Sequence, residues 1–207
     1  MSIKPKLFIV AAPSGGGKTS LVAALLERDP GVRLSISHTT RAPRPGERDG
    51  EHYHFVDKAT FLQLIKENAF LEYAQVYGRY YGTGRAAVKQ LLGEGFNVML
   101  DIDWQGARQV KDSFPESCSI YNLPPSMQEL RQRLARRGQD SAEVIESRMQ
   151  EARSEIAHCT EFDFLVVNNE FDAALDDLLS IVRIGRPVRP GTKEGFETLL
   201  ADLLKND

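Results

Sequence analysis

The residue types with the most chemistry in their spacing stand near the start of the chain. An apolar run, Leu7-Phe8-Ile9-Val10-Ala11, passes straight into Ala12-Pro13-Ser14-Gly15-Gly16-Gly17-Lys18-Thr19 and then into an apolar-periodic stretch. Strand, glycine loop and helix in that order let successive backbone N–H groups close around phosphate oxygens, and the helix N-terminus adds a favourable dipole. Lys18 contributes a point charge and Thr19 a hydroxyl suited to Mg2+, with Ser20 next on the same turn. The run fits G-x-x-x-x-G-K-S/T except that Ala12 replaces the first glycine. If that position needs φ > 0, alanine is disfavoured there, although it is the smallest substitute. A flexible glycine turn that only joins strand to helix is the other reading of the same residues.

A triphosphate site alone does not separate hydrolysis from transfer, so a second anion site decides between them. In His38-Thr39-Thr40-Arg41-Ala42-Pro43-Arg44-Pro45-Gly46-Glu47 two arginines stand three apart, with Pro43 and Pro45 stiffening the backbone. Arginine forks grip a dianionic monophosphate bidentately, and a stiff loop loses less entropy on binding. A solvated charged turn would carry the same residues. Downstream, Glu72-Tyr73-Ala74-Gln75 and Tyr80-Tyr81-Gly82-Thr83-Gly84 offer a carboxylate, hydroxyls and aromatic rings. Guanine presents an acceptor at O6 beside N–H donors, which a hydroxyl and a carboxylate match as a pair, whereas adenine would leave both mispaired.

Asp101 and Asp103 close an apolar run two residues apart, so both can project at the C-terminal end of a strand, where ligands of open α/β sheets bind. Such an acid commonly holds Mg2+ or its waters. A helix N-cap is the competing reading, and it suits Asp103 better than Asp101. Arg133 and Arg137 lie four apart on one helical face and Arg148 lies on the next helix, so a hairpin could bring all three over transferring phosphates. Phosphoryl transfer needs positive charge more than covalent help, and one placed arginine contributes roughly 10^3 to 10^5 in rate. Arg131 and Arg136 read as a solvated face. His52-Tyr53-His54 lacks further ligands at metal spacing and reads as loop histidines. Cys118 and Cys159 lack C-x-x-C spacing and read as ordinary buried or half-buried thiols.

These residues need elements to hold them. Four apolar runs, 7–12, 97–101, 117–123 and 164–168, read as strands covered on both faces. Helical periods fall at 18–27, 60–68, 85–93, 105–111, 127–137, 142–158 and 171–184, with a last helix near 194–204 after the turn-rich run 186–191. The alternation predicts a parallel, doubly wound α/β sheet. Ser126 with Glu129, and Asp140 with Glu143, have capping-box spacing, with Gly138 as the stop between the two helices. Residues 31–84 break the rhythm and read as an insertion carrying binding groups. At 207 residues and 42% hydrophobic, the chain suits one domain with a sizeable core. Its net charge of −3 argues against a broad nucleic-acid footprint, and its early apolar run is too short for a signal-peptide core, so a cytoplasmic protein is expected.

The blocks A-P-S-G-G-G-K-T, S-H-T-T-R-A-P-R-P-G-E, Y-G-R-Y-Y-G-T, L-D-I-D-W-Q-G, R-L-A-R-R-G and V-V-N-N together resemble the guanylate kinases, which make GDP from GMP and ATP. The likeness covers about residues 7–177. It implies an α/β fold of the P-loop NTPase type, a parallel sheet flanked by helices with a GMP-binding insertion and a helical lid. The parts would be a core of 1–36, 86–125 and 160–207, an insertion of 37–85 and lid helices in 126–159. Ser37, Arg41, Arg44, Tyr53 and Tyr81 would hold the GMP phosphate, and Glu72, Thr83 and Asp103 would read guanine with Ser37 nearby. Asp101 is then assigned to the Mg2+ and acceptor-phosphate network. Ala12, Pro13, Ser14, Gly15, Gly16, Gly17, Lys18, Thr19 and Ser20 would cradle ATP, bordered by Arg133, Arg137 and, on the adenine side, Asn168. Lys18, Arg44, Arg137 and Arg148 would carry transfer. Another monophosphate kinase, a small NTPase and a catalytically silent phosphopeptide-binding module are the rivals, and a homo-oligomer stays open.

Overall fold

The first apolar run becomes β1 (Leu7–Ala11), every residue of it buried, and the helix expected after the glycine loop is α1 (Lys18–Arg28). The structure is a computed structural model and describes residues 5–76, 78–136, 141–189 and 193–205. Arg137, with the Gly138 and Asp140 helix signals, lies outside the described residues. Elements β2 (Val32–Leu34), β3 (Ser37–Thr39), β4 (His54–Phe55), α2 (Lys58–Lys66), β5 (Phe70–Val76), β6 (Arg79–Gly84), α3 (Arg85–Gly93), β7 (Asn97–Asp101) and α4 (Trp104–Ser113) follow. The chain then runs through β8 (Cys118–Leu123), α5 (Met127–Arg136), α6 (Ala142–Ile156), β9 (Phe164–Val167), α7 (Phe171–Ile184) and α8 (Lys193–Leu204).

The strands form a five-stranded sheet in the order β2-β7-β1-β8-β9 and a four-stranded sheet in the order β4-β3-β6-β5. In the first, β2 pairs parallel with β7 and β8 parallel with β9, as the α/β alternation predicts. The sequence reading expected four strands there; the fifth, β2, has three residues with only Val32 fully buried, too short to show a period. The second sheet is the larger departure. Of residues 31–84, β2 joins the first sheet, and 37–84 fold around β3, which pairs parallel with β4 and antiparallel with β6, and β6 pairs antiparallel with β5.

Helix boundaries follow their caps. Asp57 accepts from the Thr60 N–H at 2.7 Å, which starts α2 two residues before the expected 60. Ser126 accepts from the Glu129 N–H at 3.1 Å, as the capping-box spacing predicts. The start of α6 is corrected: its N-cap is Ser141, which accepts from the Val144 N–H, not Asp140. Gly185, at φ 77°, stops α7 in the left-handed conformation that favours glycine.

Two units of dense contact divide the chain, one of residues 1–9 and 30–118 and the other of 10–29 and 119–207. In the second, Tyr121, Leu123, Ile156, Cys159 and Leu203 form one buried cluster, and Leu130, Leu134, Met149 and Ala152 another between α5 and α6. Burial pushes the Cys159 thiol up to about 11, so it packs as an inert apolar group, and Cys118 is half-buried. No described helix is long and apolar enough to cross a membrane.

In the first unit the second sheet rests on Phe61 of α2. Its ring is fully buried, stacked 4.6 Å from Phe70 and 5.4 Å from Tyr80, and a Cβ on Gly82 would meet it at 3.0 Å. Truncation would leave a cavity that the two stacked rings of Phe70 and Tyr80 cannot close. We expect Phe61→Ala to lower unfolding free energy by about 3–5 kcal/mol in urea titration; a loss under about 1 kcal/mol would show that α2 does not support this sheet.

Candidate functional site

Two clusters of polar residues gather what the sequence singled out, one in each unit. In the second unit the glycine loop is shaped by its surroundings. Gly15 and Gly17 have φ of 87° and 91°, so the left-handed positions fall on glycine. Ala12 is not among the residues with positive φ, so alanine carries no conformational penalty there. Gly15 also sits against α5, where an added Cβ would meet Leu134 at 3.0 Å and Leu130 at 3.1 Å.

The loop's backbone groups have specific partners. The Ser14 N–H donates to the Glu155 carboxylate at 3.1 Å and the Gly16 N–H to the Pro13 carbonyl at 2.8 Å. The Gly16 carbonyl accepts from the side-chain amides of Asn122, at 2.8 Å, and Asn168, at 3.0 Å. Gly17 then starts α1 with no side chain of its own to cap the first turn. Lys18 is half-buried, and Thr19 and Ser20 are exposed on that turn. Arg133 donates to Glu129 at 2.9 Å and to the Asn168 carbonyl at 2.9 Å. Its other guanidinium nitrogen lies 4.0 Å from where a Cβ of Gly17 would stand. Loop, α1 N-terminus, Arg133 and Asn168 thus converge. Arg148 is half-buried on α6.

In the first unit, strand register builds the other cluster. Ser37, Thr83 and Glu72 are paired neighbours across β3, β6 and β5, so their side chains share one level of the sheet. The Thr83 hydroxyl donates to Glu72 at 2.5 Å and lies 3.4 Å from the Ser37 hydroxyl. Thr83 and Glu72 are 0% and 3% exposed. Because Thr83 has one proton and gives it to the carboxylate, it accepts from Ser37, which orients the row. The second Glu72 oxygen faces the first turn of α4, where a side chain on Gly106 would collide with it. Asp103 caps α4 by accepting from the Gly106 N–H at 2.9 Å, and Gln105 donates to its other oxygen at 3.0 Å. Asp103 is thus the N-cap that its spacing allowed, and both it and Glu72 lie beside Gly106. Asp101 closes β7, half-buried.

Arg41 is held in a fork: its two terminal nitrogens donate to the two Glu47 oxygens at 2.9 and 2.8 Å. Glu47 also accepts from the Arg44 N–H at 2.7 Å, closing the proline loop. The Glu47 bond raises the Arg41 pKa, and the Arg41 bond lowers that of Glu47. The Arg41 guanidinium lies 5.4 Å from the Tyr53 ring centre, Tyr53 meets Tyr81 edge-on at 6.0 Å, and Tyr81 also bonds Arg41. Arg41, Tyr53 and Tyr81 therefore come together, with the Arg44 side chain exposed. Arg131, read as surface, pairs with Glu146 at 2.8 Å with both half exposed, and Arg136 is exposed.

Sequence reasoning missed Glu47 as the Arg41 partner, Asn122 as a loop partner, Glu155 and the Gln109 bridge. Gln109 accepts from the Tyr73 N–H at 3.1 Å and donates to its carbonyl at 2.8 Å, tying α4 to β5. Glu47 carried a signal, an acid six residues after an arginine across a proline-glycine turn. The others depend on tertiary placement. The His54 ring lies 4.7 Å from that of His38, tilted by 37°, and no group of three His, Cys, Asp or Glu suited to a metal occurs among the described residues.

A sequence profile described as guanylate kinase matches residues 4–184. The guanylate kinase of Shewanella violacea is 53% identical over 205 residues, covering 99% of each chain. That of Methylobacillus flagellatus is 55% identical over 202 residues, covering 98% of this chain and 100% of the relative. Among solved structures, the guanylate kinase from Anaplasma phagocytophilum is similar at a TM-score of 0.74 and 31% identity, covering 100% of this chain and 98% of that one.

The Arg41–Glu47 fork gives a pH dependence of stability. The folded Glu47 pKa lies below its ordinary 4.5, so the stabilisation is complete above that value and is lost as pH falls through the lowered folded value. We expect parent stability to fall more steeply than that of Glu47→Gln between about pH 5 and pH 3, measured by denaturant unfolding; parallel curves would rule the pair out.

Proposed function

The chain belongs to the guanylate kinase family, and from that premise we propose how its own residues divide the transfer of the terminal phosphoryl group of ATP to GMP. The reaction is ATP + GMP giving ADP + GDP. A GMP phosphate oxygen bonds to the γ-phosphorus as the bond to the β–γ bridging oxygen breaks. With a second phosphate pKa near 6, the acceptor is largely dianionic at neutral pH, so no general base is required. The obstacle is bringing two polyanions into line, and the residues assigned are chiefly donors and cations.

On the donor side, the loop 12–17 with Lys18, Thr19 and Ser20 takes the ATP phosphates, and Arg133, Arg137 and Asn168 border the nucleotide. The uncapped start of α1 supports this assignment. On the acceptor side, Arg41, Arg44, Tyr53, Tyr81 and Ser37 take the GMP phosphate. The Glu47 fork presets the Arg41 guanidinium, which reduces the entropy lost on binding. Lys18, Arg44, Arg137 and Arg148 carry the charge of the transfer step. Mg2+ fits these residues as a nucleotide-borne ion: Thr19 and Asp101 offer hard oxygens, and the described residues hold no three-ligand cage. When bound it would neutralise the negative charge that develops on the phosphates during transfer. We assign GMP binding to the insertion 37–85, lid closure to the helices in 126–159, and the rest to the core, in a cytoplasmic enzyme.

The buried row Ser37–Thr83–Glu72 carries the base assignment. Its carboxylate suits the guanine N1–H and amino donors, and the Ser37 hydroxyl suits O6 once it turns its proton from Thr83 to the base. Adenine would leave those groups unpaired, which a buried polar site punishes by roughly 10^4 or more. The test is ADP release with GMP, AMP, UMP, CMP or dTMP supplied singly, with and without chelation of Mg2+. We expect turnover with GMP, abolished by chelation. Turnover with another monophosphate instead would discard the base assignment, and turnover surviving chelation would discard the metal.

Thr83→Val keeps the shape and removes the proton given to Glu72. We expect kcat/KM for GMP to fall roughly 10- to 100-fold while KM for ATP holds, as for loss of a hydrogen bond to a buried charge. An unchanged kcat/KM for GMP would remove Thr83 from the base site.

A further inference from the structure

We infer that Asn122 is a positioning residue for the donor nucleotide, holding the Gly16–Gly17 peptide in the orientation the phosphate cradle needs. The inference rests on the reading of that loop as the ATP cradle. Asn122 lies on β8 and Asn168 directly follows β9; the two strands run parallel with Asn122 opposite Val166 and Leu123 opposite Val167. The Asn168 N–H continues that pairing by donating to the Leu123 carbonyl at 2.8 Å. Two amides from neighbouring strand ends therefore reach one carbonyl, that of Gly16, at 2.8 and 3.0 Å. Both side chains are buried, at 2% and 5% exposure. Because a carbonyl only accepts, the atom each asparagine turns toward it must be the amide nitrogen.

The consequence follows from peptide planarity. No described peptide bond is cis, so the Gly16 carbonyl and the Gly17 N–H point in opposite directions from one rigid plane. Anchoring the carbonyl against the strand ends turns the Gly17 N–H to the opposite side of the loop. Three consecutive glycines give this segment more conformational freedom than any other sequence would. Gly17 sits at φ 91°, and an added Cβ would lie 2.5 Å from the Asn168 amide nitrogen, so that amide also packs directly under the peptide it holds.

Asn122 does not look like a stability choice. Its Oδ1 is buried with no hydrogen-bond partner among the described residues, an arrangement that an apolar side chain of equal size avoids. A residue that disfavours the fold at one atom and directs the loop at the other is placed for the loop.

The test is steady-state kinetics of full-length Asn122→Leu, varying ATP and GMP separately, alongside thermal unfolding. We expect kcat/KM for ATP to fall about tenfold, the size of one neutral hydrogen bond, with KM for GMP within about twofold and Tm equal to or above the parent's. Asn122→Asp, isosteric but unable to donate as the carboxylate, should be impaired at least as much and serves in place of the leucine variant if that one fails to fold. Parental kcat/KM for ATP in the folded variant overturns the inference. Equal losses for both nucleotides with a lowered Tm overturn it too, since they mark a structural role. Lys18→Ala separates this result from the reading beneath it: intact ATP use in that variant would discard the cradle, whereas its loss beside a normal Asn122→Leu would discard only the positioning role.

Discussion

The constraint on which the second unit depends is a helix start left open. Gly17 begins α1 without a side-chain cap, as Gly84 and Glu170 begin α3 and α7, while α2, α4 and α6 are closed by Asp57, Asp103 and Ser141. An open start leaves backbone donors for an anion, but it also leaves a run of glycines with nothing of their own to fix them. The surroundings supply the shape. Leu130 and Leu134 lie under Gly15, the Glu155 carboxylate takes the Ser14 N–H, and two asparagine amides take the Gly16 carbonyl. Arg133 then joins α5 to the Asn168 backbone. Helices α5 and α6 are thus part of the loop's architecture even though they lie more than a hundred residues downstream.

The first unit solves a different problem, that of keeping a carboxylate buried. Glu72 is tolerated because Thr83 gives it a proton at close range and because its other oxygen faces the first turn of α4. A helix start favours negative charge. Gly106 is required there by contact rather than by backbone freedom, since any side chain would collide with that oxygen. Gln109, one turn further along α4, fixes the same helix to β5 through two hydrogen bonds to the Tyr73 backbone, the residue next to Glu72.

Much of this was legible in the sequence where a signal is local. The glycine loop, the apolar strands at β1, β7, β8 and β9, the caps at Ser126 and Asp103 and the limits of α3 and α7 all follow from spacing within one element. What was not legible depends on partners distant in sequence. The second sheet includes strands as short as two and three residues, whose pairing is decided by register against neighbours, β4 against β3 and β3 against β6, and not by any period of their own. Strand β2 exposes Arg33 and half exposes Leu34, so it lacks the apolar run of a covered strand. Asn122 sits inside a strand that reads as uniformly buried, where a polar residue registers only as an interruption; its purpose appears once Gly16, 106 positions away, stands beside it.

The two polar clusters share a design that explains why they lie where they do. Both place their deciding groups on strands or at strand ends: Asn122 and Asn168 at β8 and β9, and Ser37, Thr83 and Glu72 on β3, β6 and β5. A side chain on a paired strand has its backbone fixed by ladder hydrogen bonds, so little freedom remains to spoil the direction of its polar atom. The contacting loops can then be glycine-rich or proline-stiffened without losing precision, because the reference points are not in the loops. That arrangement also accounts for the buried Asn122 atom left unpartnered among the described residues and the buried charge on Glu72. Each disfavours the fold locally, and each sits where the orientation of a neighbouring group, not the packing of the core, is what the residue determines.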